Sequence, residues 1–536
     1  MATVIGTDGT DLINGTMQDD DIFGRQGNDL LDGRAGNDLV EGEDGNDIMW
    51  GRSGSDSLRG GEGDDVAFGG SGKDFFEGSW AAGPFGEGDD VAFGGSGNDS
   101  FDAVELHAGD DWMVGGSGDD VFDYTIDSIL KLGEGEVPIG NDTIIGGPGI
   151  DRVEFSSPFP PVSASAEITG TAAVVVDLKN GNFSTAEVSG TIVGVERIIG
   201  SEHDDTILGS RRAESLSGSF GDDCIEGRGG DDSLGGDYGN DTLYGGSGND
   251  TLLLSFDEED DVAYGGAGDD FFAGVESEEG GDDWMDGGPG NDVFDYTITR
   301  LLFPGDGLVP IGNDTIIGGS GTDRVVFSDP SPHAPSGSYE IFRGLGTAAV
   351  AVDLKNGTFS TAEVSGTIVG VEGIMGSEGN DTILGSRRAE SLSGSHGNDY
   401  IAGRGGNDRL DGGFGLNTLK GGAGGDEFVF NAINTFFESI EVGLNVIEDF
   451  TRRDELLFDN SWFEALGAEA KWGARDERFH AAAGATSGHD ANDRLVYNRT
   501  TGDLYYDADG NGAEAALLVA SLQCAPTLAA SDITVI

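Results

Sequence analysis

Gly33-Arg34-Ala35-Gly36-Asn37-Asp38-Leu39-Val40-Glu41 decides the fold, because its pattern recurs on both sides of it. Aspartate returns every nine residues, from Asp11 through Asp20, Asp29, Asp38, Asp47, Asp56 and Asp65 to Asp74. Two positions after each stands an apolar residue: Ile13, Ile22, Leu31, Val40, Met49, Leu58, Ala67 and Phe76. The unit is a nonapeptide of the form G-G-x-G-x-D-x-U-x, with U apolar. Six residues rich in glycine and aspartate make a turn, since glycine supplies the positive φ a tight turn needs. Three more make a short strand whose U side chain points inward. Two turns and two strands complete one coil in eighteen residues. Asp11 then lies over Asp29, and Asp20 over Asp38, about 4.8 Å apart along the stack. Carboxylates that close repel by roughly 3 kcal/mol at an effective dielectric of about 20. Such a stack needs cations inside it. Calcium fits, because it takes ~6–8 hard oxygen ligands and both carboxylates and turn carbonyls supply them. A flexible Gly/Asp-rich linker has no reason to place an apolar residue at every ninth position.

This register resembles the RTX, or haemolysin-type calcium-binding, repeat of bacterial secreted proteins. The resemblance implies an all-β chain: a right-handed parallel β-roll solenoid with Ca2+ between neighbouring turns. It implies the carboxylate of Asp38 and the backbone carbonyls of Gly33, Ala35 and Asn37 as ligands.

The rhythm breaks at Gly78–Gly86, a loop containing Trp80 and Pro84. Repeats return as pairs nine apart, Asp90 with Asp99, Asp111 with Asp120 and Asp142 with Asp151, separated by irregular inserts. The longest of these, Tyr124–Gly140, carries Lys131 and Pro138. Phe155–Ile199 is β-branched at Thr171–Leu178 and Thr191–Val195, and reads as strands in longer coils of the same roll; the alternative is an unrelated inserted domain. Regular repeats resume at Asp205, Glu214, Asp223, Asp232, Asp241 and Asp250. The glutamate makes its turn a poorer calcium site.

The block is then copied. Asp261 with Asp270, Asp283 with Asp292 and Asp314 with Asp323 repeat the pairs; Asp381, Glu390, Asp399, Asp408, Asn417 and Asp426 repeat the six-fold run. Asp142 and Asp314 are 172 apart, Asp205 and Asp381 176 apart. The odd Glu214 recurs as Glu390, so that departure predates the duplication. The organisation predicted is residues 1–78 as a first roll, 79–256 and 257–426 as two copies of a roll unit with β-rich insert, and 427–536 as a C-terminal cap. In the last, Asn445–Phe450 and Glu455–Phe458 read as strands, Trp462–Leu466 as a short helix, and Arg494–Asn498 with Asp503–Asp507 as a hairpin. A roll end exposes an unpaired edge, so a capping element is expected. The tail Ala529–Ile536 resembles the uncleaved C-terminal signal of type I secretion substrates, which implies the type I machinery as a partner.

The chain has 536 residues, 96 of them glycine, a formal charge of −72 and 36% hydrophobic residues. That suits a thin core, and without cations the charge expands the chain. It also argues against nucleic acid, whose phosphates it would repel. No stretch of ~18 apolar residues marks a transmembrane segment. Met1–Asp11 lacks the basic and apolar regions of a Sec signal peptide. Cys224 and Cys524 do not suggest a disulfide framework.

His107, His203, His333, His396, His480 and His489 show no metal-ligand spacing, and there is no H-E-x-x-H. Acid pairs such as Asp64 with Asp65 and Asp282 with Asp283 recur in repeat register, which favours calcium ligation or solvation over glycoside chemistry. Asp507-Ala508-Asp509-Gly510-Asn511-Gly512 opens like an EF-hand loop, but its twelfth position is Leu518, so a plain acidic turn is preferred. Trp50, Trp80, Trp112 and Trp284 are candidates for a sugar-binding surface; stacking along the roll is preferred for Trp112 and Trp284. The expectation is a secreted calcium-binding protein without catalytic activity, unfolded inside the cell and folded by extracellular calcium, with a structural, adhesive or matrix role. Cell-surface or matrix polysaccharide is the candidate ligand. The alternatives are a carbohydrate-active lyase or epimerase, and an S-layer or filament subunit formed by oligomerisation.

Overall fold

In a computed structural model, the structure describes residues 2–76, 88–102, 109–123, 140–155, 173–185, 188–254, 259–276, 281–298, 313–327, 349–361, 364–431, 433–434, 441–442, 444–512 and 514–536. Trp80, Pro84, His107, His333, most of the Tyr124–Gly140 insert and the Thr171–Ala172 end of the β-branched run lie outside these residues. The described chain is strand and turn, with two short 3-10 segments, Glu464–Leu466 and Ala530–Asp532. It divides into two compact units, Met1–Ser255 with Asp261–Gly266, and Phe256–Asp260 with Ala267–Ile536.

In the first unit the nonapeptides alternate between two parallel sheets. Thr3–Ile5, Asp21–Gln26, Leu39–Asp44, Ser57–Glu62 and Phe75–Phe76 pair in one, with Asp21 opposite Leu39 and Leu39 opposite Ser57. Leu12–Asn14, Leu30–Asp32, Ile48–Ser53 and Val66–Ser71 pair in the other. Each strand therefore meets the one eighteen residues away, as the spacing predicts, and the roll is parallel. The U residues form the core: Ile22, Leu31, Val40, Met49, Leu58, Ala67 and Phe76 are fully buried and Ile13 nearly so. Each large side chain so buried contributes roughly 1.5–3 kcal/mol. Where successive coils place phenylalanine at U, the rings stack: Phe76 on Phe101 at 4.6 Å and Phe101 on Phe122 at 4.7 Å between centroids.

The β-rich stretch continues the roll, with one difference from expectation. Val188–Val193 pairs in parallel with Gly140–Ile145, and Val175–Asp177 in parallel with Thr206–Leu208. Between them Asn182–Ser184 runs antiparallel to both neighbours. The turn at Lys179–Gly181 is too short for a coil, so the chain folds back and adds a reversed strand to the sheet. The second unit repeats this with Thr358–Ser360 between Ala351–Asp353 and Ser365–Val369.

The nonapeptide spacing ends at Asp426, but the sheets do not. Leu416–Lys420 pairs with Leu444–Ile447, and that strand with Leu517–Leu522. Glu427–Phe430 pairs with Glu455–Phe458, and that with the terminal Ile533–Val535. Within the second unit the C-terminal region therefore covers both sheet ends with strands of its own. The expected hairpin forms from Leu495–Asn498 and Asp503–Tyr506, and the expected helix is the single 3-10 turn Glu464–Leu466.

Candidate metal centres

In the regular repeats a glycine five residues before the aspartate brings backbone against the carboxylate, as Gly24 does at Asp29. A Cβ on Gly24 would lie 2.5 Å from Oδ2 of Asp29 and 2.7 Å from the carbonyl of Gly42. Only a residue without a side chain leaves both oxygens facing the same small space.

Each repeat carboxylate reaches back one coil. The N–H of Asp29 donates to Oδ1 of Asp47 at 2.7 Å, that of Asp47 to Asp65 at 2.7 Å, and that of Asp65 to Asp90 at 2.7 Å. The ladder passes through the irregular pairs, from Asp90 to Asp111 and on to Asp142. The other column, from Asp99 through Asp120 to Asp151, ends on a residue that sequence reading missed: the N–H of Asp151 donates to Glu196, and in the second unit that of Asp323 donates to Glu372. Asn417, in repeat register, accepts from Asp399 as a neutral substitute.

The second oxygen sorts the turns into two kinds. In the open kind Oδ2 is buried without a hydrogen-bond partner: Asp29, Asp38, Asp47, Asp56, Asp65, Asp74, Asp90, Asp99, Asp120, Asp151, Asp223, Asp232, Asp292, Asp323, Asp399, Asp408 and Asp426. Four residues before the aspartate the backbone is left-handed wherever that position is described, as at Arg52 with φ 78° before Asp56 and Gly61 with φ 119° before Asp65. There the strand runs on, so Arg52 pairs with Gly70 instead of turning toward the carboxylate.

In the closed kind a serine or threonine occupies that position and caps the acid. The N–H and hydroxyl of Thr7 bond Oδ2 of Asp11 at 2.6 and 2.9 Å, and those of Thr16 bond Oδ2 of Asp20 at 2.5 and 2.7 Å. Ser201 caps Asp205 and Ser377 caps Asp381 with the N–H donating to Oδ2 and the hydroxyl to Oδ1. Ser210 and Ser386 cap the two glutamates, Glu214 and Glu390. Asp20, Asp205 and Asp381, candidate ligands by register, thus differ from their neighbours in having both oxygens engaged, and Asp11 in having its Oδ2 capped. A hydroxyl residue four before the acid is required but does not suffice: Ser219 before Asp223 and Ser395 before Asp399 hold left-handed backbone, φ 87° and 70°, and leave their acids open. Asp111, Asp142, Asp261, Asp283 and Asp314 sit in register at the edges of the inserts, and Asp142, Asp261 and Asp314 are buried.

Burial penalises these carboxylates and neighbouring carboxylates add to it, against the relief of the backbone hydrogen bond. Asp65 is pushed up to about 8 and Asp90 to about 9. Asp223 rises to about 8, and Asp74, Asp399 and Asp408 to about 7. Rows of buried, unpartnered, hard oxygen atoms beside turn carbonyls fit calcium.

Elsewhere, Leu518 pairs with Tyr505 in the strand leaving the acidic turn, so the Asp507–Gly512 loop is a hairpin connection and not an EF-hand. Trp50 stacks on Phe68 at 6.1 Å, while Trp112 and Trp284 are 50% and 40% exposed. Cys224 and Cys524 are free thiols. Among the described residues no helix is long and apolar enough to cross a membrane.

A family model described as RTX calcium-binding nonapeptide repeat matches residues 3–31, 23–58, 50–80, 86–105, 139–154, 199–234, 217–252, 257–275, 279–296, 311–328, 375–410, 384–419 and 403–431, which is just over half of the chain. No curated protein matches it. Among solved structures it is similar to the crystal structure of extracellular lipase LipA from Serratia marcescens, at 14% identity and a TM-score of 0.17. The match covers 53% of this chain and 40% of the lipase, so this chain spans less than half of that protein.

Proposed function

From the premise that this chain belongs to the family of RTX calcium-binding nonapeptide repeat proteins, we propose that it is a secreted protein whose roll is folded by extracellular calcium and which has no catalytic role. The observation that carries this is the set of buried Oδ2 atoms without partners. Leaving one charged carboxylate oxygen buried and unsatisfied costs at least ~1–3 kcal/mol, and here the cost repeats up the roll. Bound calcium supplies the missing positive charge and accepts these oxygens as ligands. The open turns hold it; the closed turns, already satisfied by Ser and Thr, do not.

Calcium that binds the folded chain alone adds its binding free energy to folding. Where calcium is scarce the same carboxylates repel, which keeps the chain unfolded and suits export by a type I machinery. Extracellular modules bind calcium at about 10⁻⁴–10⁻³ M, which sets the range for the switch. A structural, adhesive or matrix role follows from a chain whose acidic residues are committed to metal. A circular dichroism titration tests the reading: strand signal rises cooperatively with calcium and collapses in chelator. A chain equally folded in excess chelator overturns it. Comparing culture medium with cell surface, with and without calcium, tests the location, and a lyase assay on acidic polysaccharides tests the absence of catalysis.

A further inference from the structure

One cluster of ligating side chains lies away from the repeat turns, in the C-terminal region. The strand Phe479–Ala482 presents His480, whose register partner is Val496. Nine residues on, His489 opens a tight turn that ends at Asp493. Asp493 is 4% exposed. Its Oδ2 accepts the N–H of His489 at 2.6 Å and of Asp490 at 2.9 Å, which fixes the carboxylate against the start of the turn. Nδ1 of His480 lies 4.0 Å from that same oxygen. The two imidazoles face each other, 5.3 Å between centroids and 9° from parallel. One ligand atom from each of His480, His489 and Asp493 lies within 4.8 Å of the other two. Oδ2 of Asp490, 3.7 Å from Nδ1 of His489, adds negative charge beside the second ring.

We propose that His480, His489 and Asp493 form a binding site for a borderline divalent transition metal of the zinc class. The donor set decides the class. Calcium prefers oxygen throughout, whereas two imidazole nitrogens and one carboxylate suit Zn2+, Co2+, Ni2+ or Cu2+. Three protein donors leave further positions for water or another ligand. The site draws on no residue of the calcium turns, and it ties the loop before Asp493 to the strand carrying His480. Spacing alone conceals it, because the pairing of strand and turn, not a sequence motif, brings the two rings together.

The test uses the full chain in saturating calcium, titrated with Co2+ and followed by visible absorption and calorimetry. About one equivalent binds to the wild type, with nitrogen-ligand d–d bands displaced by Zn2+. His489→Ala and His480→Ala each weaken binding at least ~10-fold, while the calcium-induced dichroism, which reports the roll, stays as in the wild type. His489 is largely exposed, so its replacement leaves the fold intact and keeps the test decisive. Absence of Co2+ binding to the wild type overturns the proposal. So does binding of equal strength in the doubly substituted chain, which would place the metal elsewhere.

Discussion

The backbone N–H of Asp47 donates to Oδ1 of Asp65 at 2.7 Å, while Oδ2 of Asp65 is buried with no partner at all. One oxygen locks a coil to its neighbour and the other faces a cation. Asp65→Asn keeps an oxygen for the lock and removes the charge. The expected result is loss of at least one calcium equivalent and a folding midpoint shifted up about 10-fold in calcium, or ~1.4 kcal/mol. Calorimetry and dichroism measure both. Asp20→Asn, in a capped turn, leaves the stoichiometry unchanged; a lost equivalent there would remove the distinction between the two kinds of turn.

Ser210 and Glu214 allow the converse experiment. Ser210→Ala removes the hydroxyl cap and costs about 1 kcal/mol of stability without changing calcium stoichiometry. Ser210→Gly with Glu214→Asp recreates an open turn, since glycine adopts the left-handed backbone freely. That double variant gains calcium. Unchanged binding would mean that the residue four before the acid does not set occupancy.

The raised carboxyls give a pH dependence to the metal-free chain. For an acid whose value rises on folding, from 3.8 to about 8 at Asp65 and to about 9 at Asp90, the folded form holds a proton that the unfolded form has lost. The stability this supplies is fully present below 3.8 and is lost as pH rises through 8 to 9. In chelator, strand content therefore increases as pH falls from about 9 to about 5. Calcium binding at pH 7 releases protons into unbuffered solution. A pH-independent spectrum in chelator contradicts the burial of these groups.

Arg228 reaches back across the insert to Asp177 at 2.8 Å and to the carbonyl of Gly209 at 3.0 Å. The second copy repeats the clamp with Arg404, Asp353 and Gly385. Arg228→Met leaves a partly buried carboxylate without its cation and costs about 2 kcal/mol, read as a lower thermal midpoint in calcium. An unchanged midpoint would make the clamp incidental.

The terminal strand is part of the fold. Ile533 and Val535 are buried, and Ile533 pairs with Leu456. Ile533→Ala costs about 2–5 kcal/mol, detectable as earlier proteolysis of the C-terminal region in calcium. On the proposed type I route a tail seated in a sheet is available to the machinery only while the chain is unfolded, so preloading the chain with calcium should block export; export of the calcium-loaded chain would overturn that route.

The sequence alone determined the roll. A nine-residue period admits one arrangement in which every U side chain is inward and every aspartate stacked, and Ile22 through Phe76 bear this out because local turn chemistry and core burial share one spacing. The duplication was equally legible. Only the tertiary structure decided which carboxylates stay unpartnered, because capping by Thr16 or Ser210 depends on the backbone sign at one position and not on the acid that follows. It alone revealed Glu196 and Glu372 as ladder ends, the reversed strand Asn182–Ser184, and the meeting of His480 with His489. Those depend on contacts between segments that share no period, and a pattern read along one chain has no term for them.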